Sequence, residues 1–195
     1  MDVKKLFRAR QTVVEMLGDR GYNITEPLAV SFEEYRELYH TDKIDIHIVN
    51  ETREIFVKFL TVLKTKPNYV RELISEIKTE VFTKPDTNLI IVTVSKPNNT
   101  ILKIKHEYKD VEFFWLNRLI VNITRHQYVP LHERLDADKV PEIMKRFNLS
   151  NIRQLPLIDR NDPVCRYYNF RPGEICKITR KNKISGISII YRLVK

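Results

Sequence analysis

The sequence predicts an α+β fold in two parts. Three observations carry this. Helical periodicity alternates with short apolar runs over residues 1–120, a dense string of turn, helix and hairpin signals fills residues 121–195, and the charge balance changes between them. Of the 195 residues 43% are hydrophobic, enough for one large core or two small ones. Residues 121–195 hold 15 Lys and Arg against 7 Asp and Glu, whereas residues 1–120 hold 19 against 18, so nearly all of the +9 excess lies in the C-terminal part. A basic surface favours an acidic partner, either nucleic acid or the carboxylate-rich face of a protein. The predicted domains are therefore 1–120 and 121–195. The boundary segment Leu119 to Thr124 is apolar enough to predict a strand, not a Gly/Ser tether.

In the N-terminal domain the first helix occupies Leu6 to Tyr22. Leu6, Phe7, Val13, Val14 and Leu17 share one stripe, and Gly21 stands where a helix exit belongs. Ser31-Phe32-Glu33-Glu34 has the form of a capping box and opens a short helix ending near His40. Ile44, Ile46 and Ile48 alternate with Asp45 and His47, as in a strand with one covered face. From Glu54 to Leu63 apolar residues occupy both parities, which predicts a strand buried on both sides. Pro67 starts a helix with a Val70, Leu73, Ile74, Ile77 stripe, and Leu89 to Val94 and Val111 to Trp115 are further buried strands. An α+β or α/β layer with helices packed on a sheet follows from that order.

The C-terminal domain has sharper local signals. Asp162 is a good N-cap and Pro163 suits a first helical position, so a short helix reading VCRYYNF is expected there. Asn169 tolerates a left-handed exit, and Arg171-Pro172-Gly173 is a turn. Glu174 to Arg180 reads as a strand. Ile187, Ile189, Tyr191 and Leu193 fall at period two on another, and the polar Lys181 to Gly186 connection makes the pair a β-hairpin. A sequence that stops inside a strand predicts an edge held in place by something else.

The side-chain chemistry excludes more than it offers. Cys165 and Cys176 make no disulfide framework and no four-ligand metal spacing exists, so both are expected to be small buried residues in a reducing interior. Neither a metal nor a cofactor is expected. There is no signal-like leader and no run of membrane-spanning length, which predicts an intracellular protein with no membrane role. Asp45 and Lys58 have roughly the placement of a metal-dependent nuclease. The acid expected two residues before the lysine is Phe56, however, and Glu54 lies one side-chain position too far along, so the pair is expected to be charges of a binding domain. His126 and His132, with Pro130 between them, share no helical face and predict structural roles. Arg166-Tyr167-Tyr168 combines a phosphate-reaching group with stacking faces. Neighbouring helical positions diverge by about 100°, so at least one tyrosine belongs to the core and the remainder suits a protein interface. Lys4, Lys5, Arg8 and Arg10 cluster on the first helix, and Arg180-Lys181-Asn182-Lys183 forms a basic turn.

Taken in order, His126 to His132, Leu155-Pro156, Asp162 to Tyr168, Arg171 to Ile178 and Gly186 to Val194 resemble the assembly domain of the small subunit shared by cellular RNA polymerases, the fifth subunit in eukaryotes, whose archaeal counterpart resembles this C-terminal part alone. The first helix and its Asp19-Arg20-Gly21-Tyr22 exit are similar to the two-domain eukaryotic form, which a large DNA virus with its own polymerase would also fit. Asn169 stands where that family usually has Gly, Cys165 replaces a common Ala, and Lys96-Pro97 is the nearest counterpart of a family Thr-Pro turn. The resemblance implies a non-catalytic polymerase subunit without a small-molecule substrate. Its C-terminal assembly domain would dock on the largest subunit among the other polymerase subunits, and its N-terminal jaw domain, built on a nuclease-like sheet, would lie near downstream duplex DNA. The interface residues so implied are His126, Pro130, Asp162, Pro163, Arg166, Tyr167, Tyr168, Tyr191 and Arg192, and the DNA-proximal ones Lys4, Lys5, Arg8 and Arg10. The implied location is the nucleus, or for a virus its cytoplasmic factory or virion. An independent nucleic-acid-binding module and a metal-dependent nuclease are the competing readings.

Overall fold

A computed structural model describes residues 2–62, 66–182, 184 and 186–195. The chain divides into two compact units, Met1–Val121 and Asn122–Lys195.

In the first unit, α1 (Val3–Asp19) starts at Asp2, whose carboxylate accepts from the Lys4 and Lys5 amides, and it buries Leu6, Ala9, Val13, Met16 and Leu17. It ends at Gly21, which takes φ 84°, a conformation that costs a side-chain-bearing residue energy. One turn, α2 (Thr25–Ala29), leads to α3 (Phe32–His40). There the predicted capping box forms: Glu34 N–H donates to Ser31 Oγ at 3.3 Å, and Ser31 N–H to Glu34 Oε2 at 2.7 Å. Strands β1 (Ile46–Val49), β2 (Arg53–Leu60), β3 (Asp86–Thr93) and β4 (Val111–Trp115) lie in sequence order, β1 antiparallel and the rest parallel. The end of the predicted second strand at Leu63 lies outside the described residues.

Parallel neighbours need crossovers, and α4 (Pro67–Glu80) and α5 (Asn99–Glu107) supply them. Both pack on one face of the sheet, where Leu60, Leu89, Ile91, Val111 and Phe113 meet Val70, Leu73, Ile74, Ile77, Ile101 and Ile104. The sequence reading missed α5 because its polar composition leaves, among its described side chains, only Ile101 and Ile104 buried. Its signal was Asn98, whose side chain accepts from Ile101 N–H at 2.9 Å. The other face is also buried through Ile55, Val57, Ile90 and Val92. The α1 exit is tied to it: Arg53 Nη2 donates to Gly21 O, Asn88 Nδ2 to Tyr22 Oη, and Arg20 pairs with Glu112.

The strand predicted over Leu119 to Thr124 does not form. Two 3-10 turns, Leu116–Arg118 and Ile123–Arg125, flank an exposed Val121, and the Asn122 side chain accepts from Thr124 N–H at 3.0 Å. A local side-chain cap has displaced extended pairing.

The second unit contains β5 (Leu131–Arg134), α6 (Val140–Arg146), β6 (Leu157–Ile158), α7 (Pro163–Tyr167), β7 (Ile175–Asn182) and β8 (Gly186–Val194). The strand order is β5-β7-β8-β6, antiparallel except for β6 on β8. One face packs under α6 through Ile143, Leu155, Ile175, Tyr191 and Leu193; the other carries Cys165, Phe170, Cys176, Ile178 and Val194 around α7. Asp162 caps α7 by accepting from Val164 and Cys165 N–H, Asn169 takes the left-handed φ of 51°, and β7 and β8 make the predicted hairpin. Lys183 and Ser185, in its connection, lie outside the described residues. β5, α6 and β6 were not read from sequence: β5 buries only His132, and β6 has two residues.

Candidate functional site

Side chains of one parity share a sheet face, so the face that α6 covers at Ile175, Tyr191 and Leu193 continues toward the hairpin tip through Lys177, Thr179, Lys181, Ile187 and Ile189. On β5 it adds Leu131 and Glu133. α6 reaches only the first part. Beyond it Ile187 is 66% exposed, Leu131 55% and Ile189 43%, while Ile184 in the connection is 98% exposed. Leu131, Thr179 and Ile189 are direct cross-strand neighbours. Next to them the Phe147 ring, itself exposed, stands edge-on to Tyr191 with centroids 5.8 Å apart. A Lys177–Glu133 ion pair at 3.0 Å borders the strip. The reverse face of the tip carries Arg180 and Ser188 instead, so the apolar surface is one-sided. An exposed strip of this kind, rimmed by charge, marks an interaction surface.

The residues singled out from sequence are distributed differently. His126 and Pro163 are exposed, and Pro130, Asp162, Arg166, Tyr168 and Arg192 are half-buried. Tyr167 is in the core, where its hydroxyl accepts from Asn122 Nδ2 at 3.1 Å. Tyr191 is buried beneath Phe147, and Arg192 donates to Leu157 O at 3.0 Å. Tyr167 and Tyr191 therefore stand corrected as interface anchors, because their rings are already packed inside their own unit. Asp162 serves as a cap. His132 is buried and donates from Nδ1 to Pro130 O at 2.7 Å, the structural role expected of it. What sequence reasoning missed is the strip itself. Its signal was that Ile187 and Ile189 continue a period-two run past the last residue a short helix can cover.

In the first unit Lys4, Lys5 and Arg8 are exposed on α1, but Arg10 is not. Arg10 is turned inward, its Nη1 donating to Pro27 O at 2.8 Å and its guanidinium lying 5.9 Å from the Tyr35 ring centre, which corrects its place in the basic cluster. Burial lowers its pKa, with Tyr35 acting in the other direction, and pushes the Tyr35 hydroxyl up to about 12. The nuclease-like pair is otherwise engaged. Asp45 takes Lys58 Nζ at 2.6 Å on one carboxylate oxygen and Phe59 N–H at 2.9 Å on the other. Among the described residues, no group of three or more His, Cys, Asp or Glu is placed to hold a metal ion. Glu54 is wholly buried. It accepts from Thr83 and Lys84 N–H at 2.7 and 3.0 Å and from His47 Nε2 at 2.7 Å, stapling the α4–β3 connection to the β1–β2 hairpin. Burial alone would raise its pKa, but those donors override it and hold the carboxyl below its ordinary value.

Comparison with known proteins bears on both units. Residues 1–77 match the N-terminal domain of RNA polymerase Rpb5, and residues 121–194 match its C-terminal domain. The chain belongs to the Rpb5 family of RNA polymerase subunits. The Arabidopsis thaliana protein named DNA-directed RNA polymerases IV and V subunit 5B is 30% identical over all of this chain and 91% of its own length. The Dictyostelium discoideum subunit rpabc1 of DNA-directed RNA polymerases I, II and III is 31% identical over 98% of each chain. The Caenorhabditis elegans subunit RPABC1 of the same three polymerases is 28% identical over all of this chain and 97% of its own. As an Rpb5-family chain the molecule is a component of a multisubunit transcription enzyme, and no described helix is long and apolar enough to cross a membrane.

Proposed function

We propose that this chain is a non-catalytic subunit of a DNA-dependent RNA polymerase that docks on the largest subunit through its C-terminal unit, while its N-terminal unit lies near downstream duplex DNA. The observation that carries the docking reading is the uncovered strip of Leu131, Ile187, Ile189 and Phe147. Apolar side chains that continue the sheet face beyond the reach of α6 favour a partner. Pro163, Arg166 and Tyr168 belong to α7 and its end on the opposite face of the sheet, and with His126 they are proposed as a separate part of the contact with the polymerase. On α1 the exposed Lys4, Lys5 and Arg8 supply phosphate contacts without base reading. The reading places the protein with the polymerase, in the nucleus of a eukaryotic cell or in the factory or virion of a large DNA virus.

The test is affinity isolation of the tagged full chain from its native cell, with identification of the co-purifying proteins. The expected result is a set of polymerase subunits that includes the largest, and its loss when Leu131 and Ile187 are both changed to Asp. Recovery of the chain alone, or undiminished co-purification of a folded double variant, overturns the reading.

A further inference from the structure

We infer that the outer edge of β8 accepts an extended segment of another polymerase subunit as an added strand, and that this segment is apolar with acidic flanks. The inference rests on the docking reading above and specifies its chemistry. β8 is nine residues long, yet β6 pairs only with Leu193 and Val194. The direction of the remaining backbone groups follows from two bonds: Val194 N–H donates inward to Glu174 O, and Leu193 N–H donates outward to Pro156 O, both at 2.9 Å. Successive residues of an antiparallel strand alternate in this respect, so Ile187, Ile189 and Tyr191 present their N–H and C=O groups outward, as Leu193 does. Among the described residues no strand meets them.

Protein edges of this length are normally blunted by proline, a bulge or an edge charge. Here the three outward-directed residues are Ile187, Ile189 and Tyr191. The side chains of the two isoleucines also continue the exposed strip with Leu131. A strand laid along this edge would gain ladder hydrogen bonds and apolar contact together. Charge selects the occupant. Arg180 and Lys181 lie on β7, directly cross-strand from Ser188 and Ile187 of the edge strand, in a unit with 15 basic against 7 acidic residues. A second copy of this chain would bring a like-charged hairpin alongside, whereas acidic flanks on a partner strand would be attracted.

The test is amide hydrogen exchange at residue resolution, on the full chain alone and within the isolated polymerase. The amides of Ile187, Ile189 and Tyr191 are expected to exchange at least about tenfold more slowly in the assembled enzyme. Ile189→Pro removes only an outward amide and should weaken co-purification at least about tenfold, whereas Ile189→Thr, which keeps the amide, should weaken it less. Should the proline variant unfold, the exchange comparison on the unaltered chain decides alone. A chain that co-purifies with the polymerase while these amides stay unprotected overturns strand addition and leaves docking intact. Protection that appears in the isolated chain as its concentration rises assigns the edge to a second copy and also overturns it. A chain recovered without polymerase overturns both readings.

Discussion

Arg20 and Glu112 form a two-pronged ion pair, Nη1 to Oε1 at 2.7 Å and Nη2 to Oε2 at 3.0 Å, with side chains only 5% and 14% exposed. The pair fastens the end of α1 to β4 across the sheet. Arg20→Ala leaves a buried carboxylate without its principal partner and should destabilise the first unit by about 3 kcal/mol. Replacing both residues, Arg20→Met with Glu112→Leu, should recover much of that loss, since two matched apolar groups leave no orphan charge. Denaturant melts of the three variants measure it; equal destabilisation by the single and double changes would count against the assignment.

Glu54 gives the first unit a pH dependence of known sign. Its folded pKa lies below its ordinary value, so the stability it contributes is fully present above the ordinary carboxylate range and is lost as pH falls through the folded value. Glu54→Ala should cost about 3 kcal/mol at neutral pH, because the Thr83 and Lys84 amides lose a buried acceptor. The same variant should flatten the acid limb of the stability profile. An unchanged acid limb would locate the dependence elsewhere.

Asp162→Ala removes two capping bonds from α7 and should cost about 1 kcal/mol of stability. Co-purification with polymerase should survive at a temperature where the variant is folded. A large loss of assembly without a matching loss of stability would make Asp162 a contact residue instead.

Changing Lys4, Lys5 and Arg8 together to Gln should shift stability by no more than about 0.5 kcal/mol, as expected of exposed positions. In the assembled enzyme it should weaken retention on duplex DNA at low salt and flatten the salt dependence by about 0.9 in logarithmic slope for each phosphate no longer neutralised. Arg10→Gln should do the reverse, lowering stability and leaving the salt slope alone. Identical salt slopes for the triple variant and the unaltered enzyme would remove α1 from the DNA path.

Cys165 and Cys176 are both fully buried, and burial, with Asp162 adding to it, pushes each thiol up to about 12. At pH 8 only about one thiol in ten thousand would be ionised. Neither should react with a thiol reagent until the second unit unfolds, which mass spectrometry can follow. Fast labelling of the native chain would show that the core around Phe170 opens.

Much of this architecture was legible in the residues because each signal was local. Ser31 with Glu34, Asp162 with Pro163, and Asn169 each decide a backbone conformation within a few positions, and each does so in the structure as read. Leu119 to Thr124 misled because apolar composition was weighed above the capping capacity of Asn122. β5, β6 and α5 were missed for the opposite reason, since their pairing or packing comes from distant partners and leaves little periodicity behind. For the candidate site, the resemblance put Tyr167 and Tyr191 among the interface residues, yet only tertiary packing determines that their rings face inward while Leu131 and Ile189 remain outside.

The strand order β5-β7-β8-β6 also dictates when the second unit can form during synthesis. The two strands translated first sit at the rims, and the spine between them is made of the two translated last. Leu131–Arg134 have no partner until β7 has left the ribosome and Leu157–Ile158 none until β8 has, and until then apolar side chains destined for both faces stay in water. A product abandoned part-way through β7 would carry both helices and no sheet to seat them. If docking runs through this unit as proposed, truncated copies would not compete for a place in the enzyme, because the part that would dock is the part they have not yet folded.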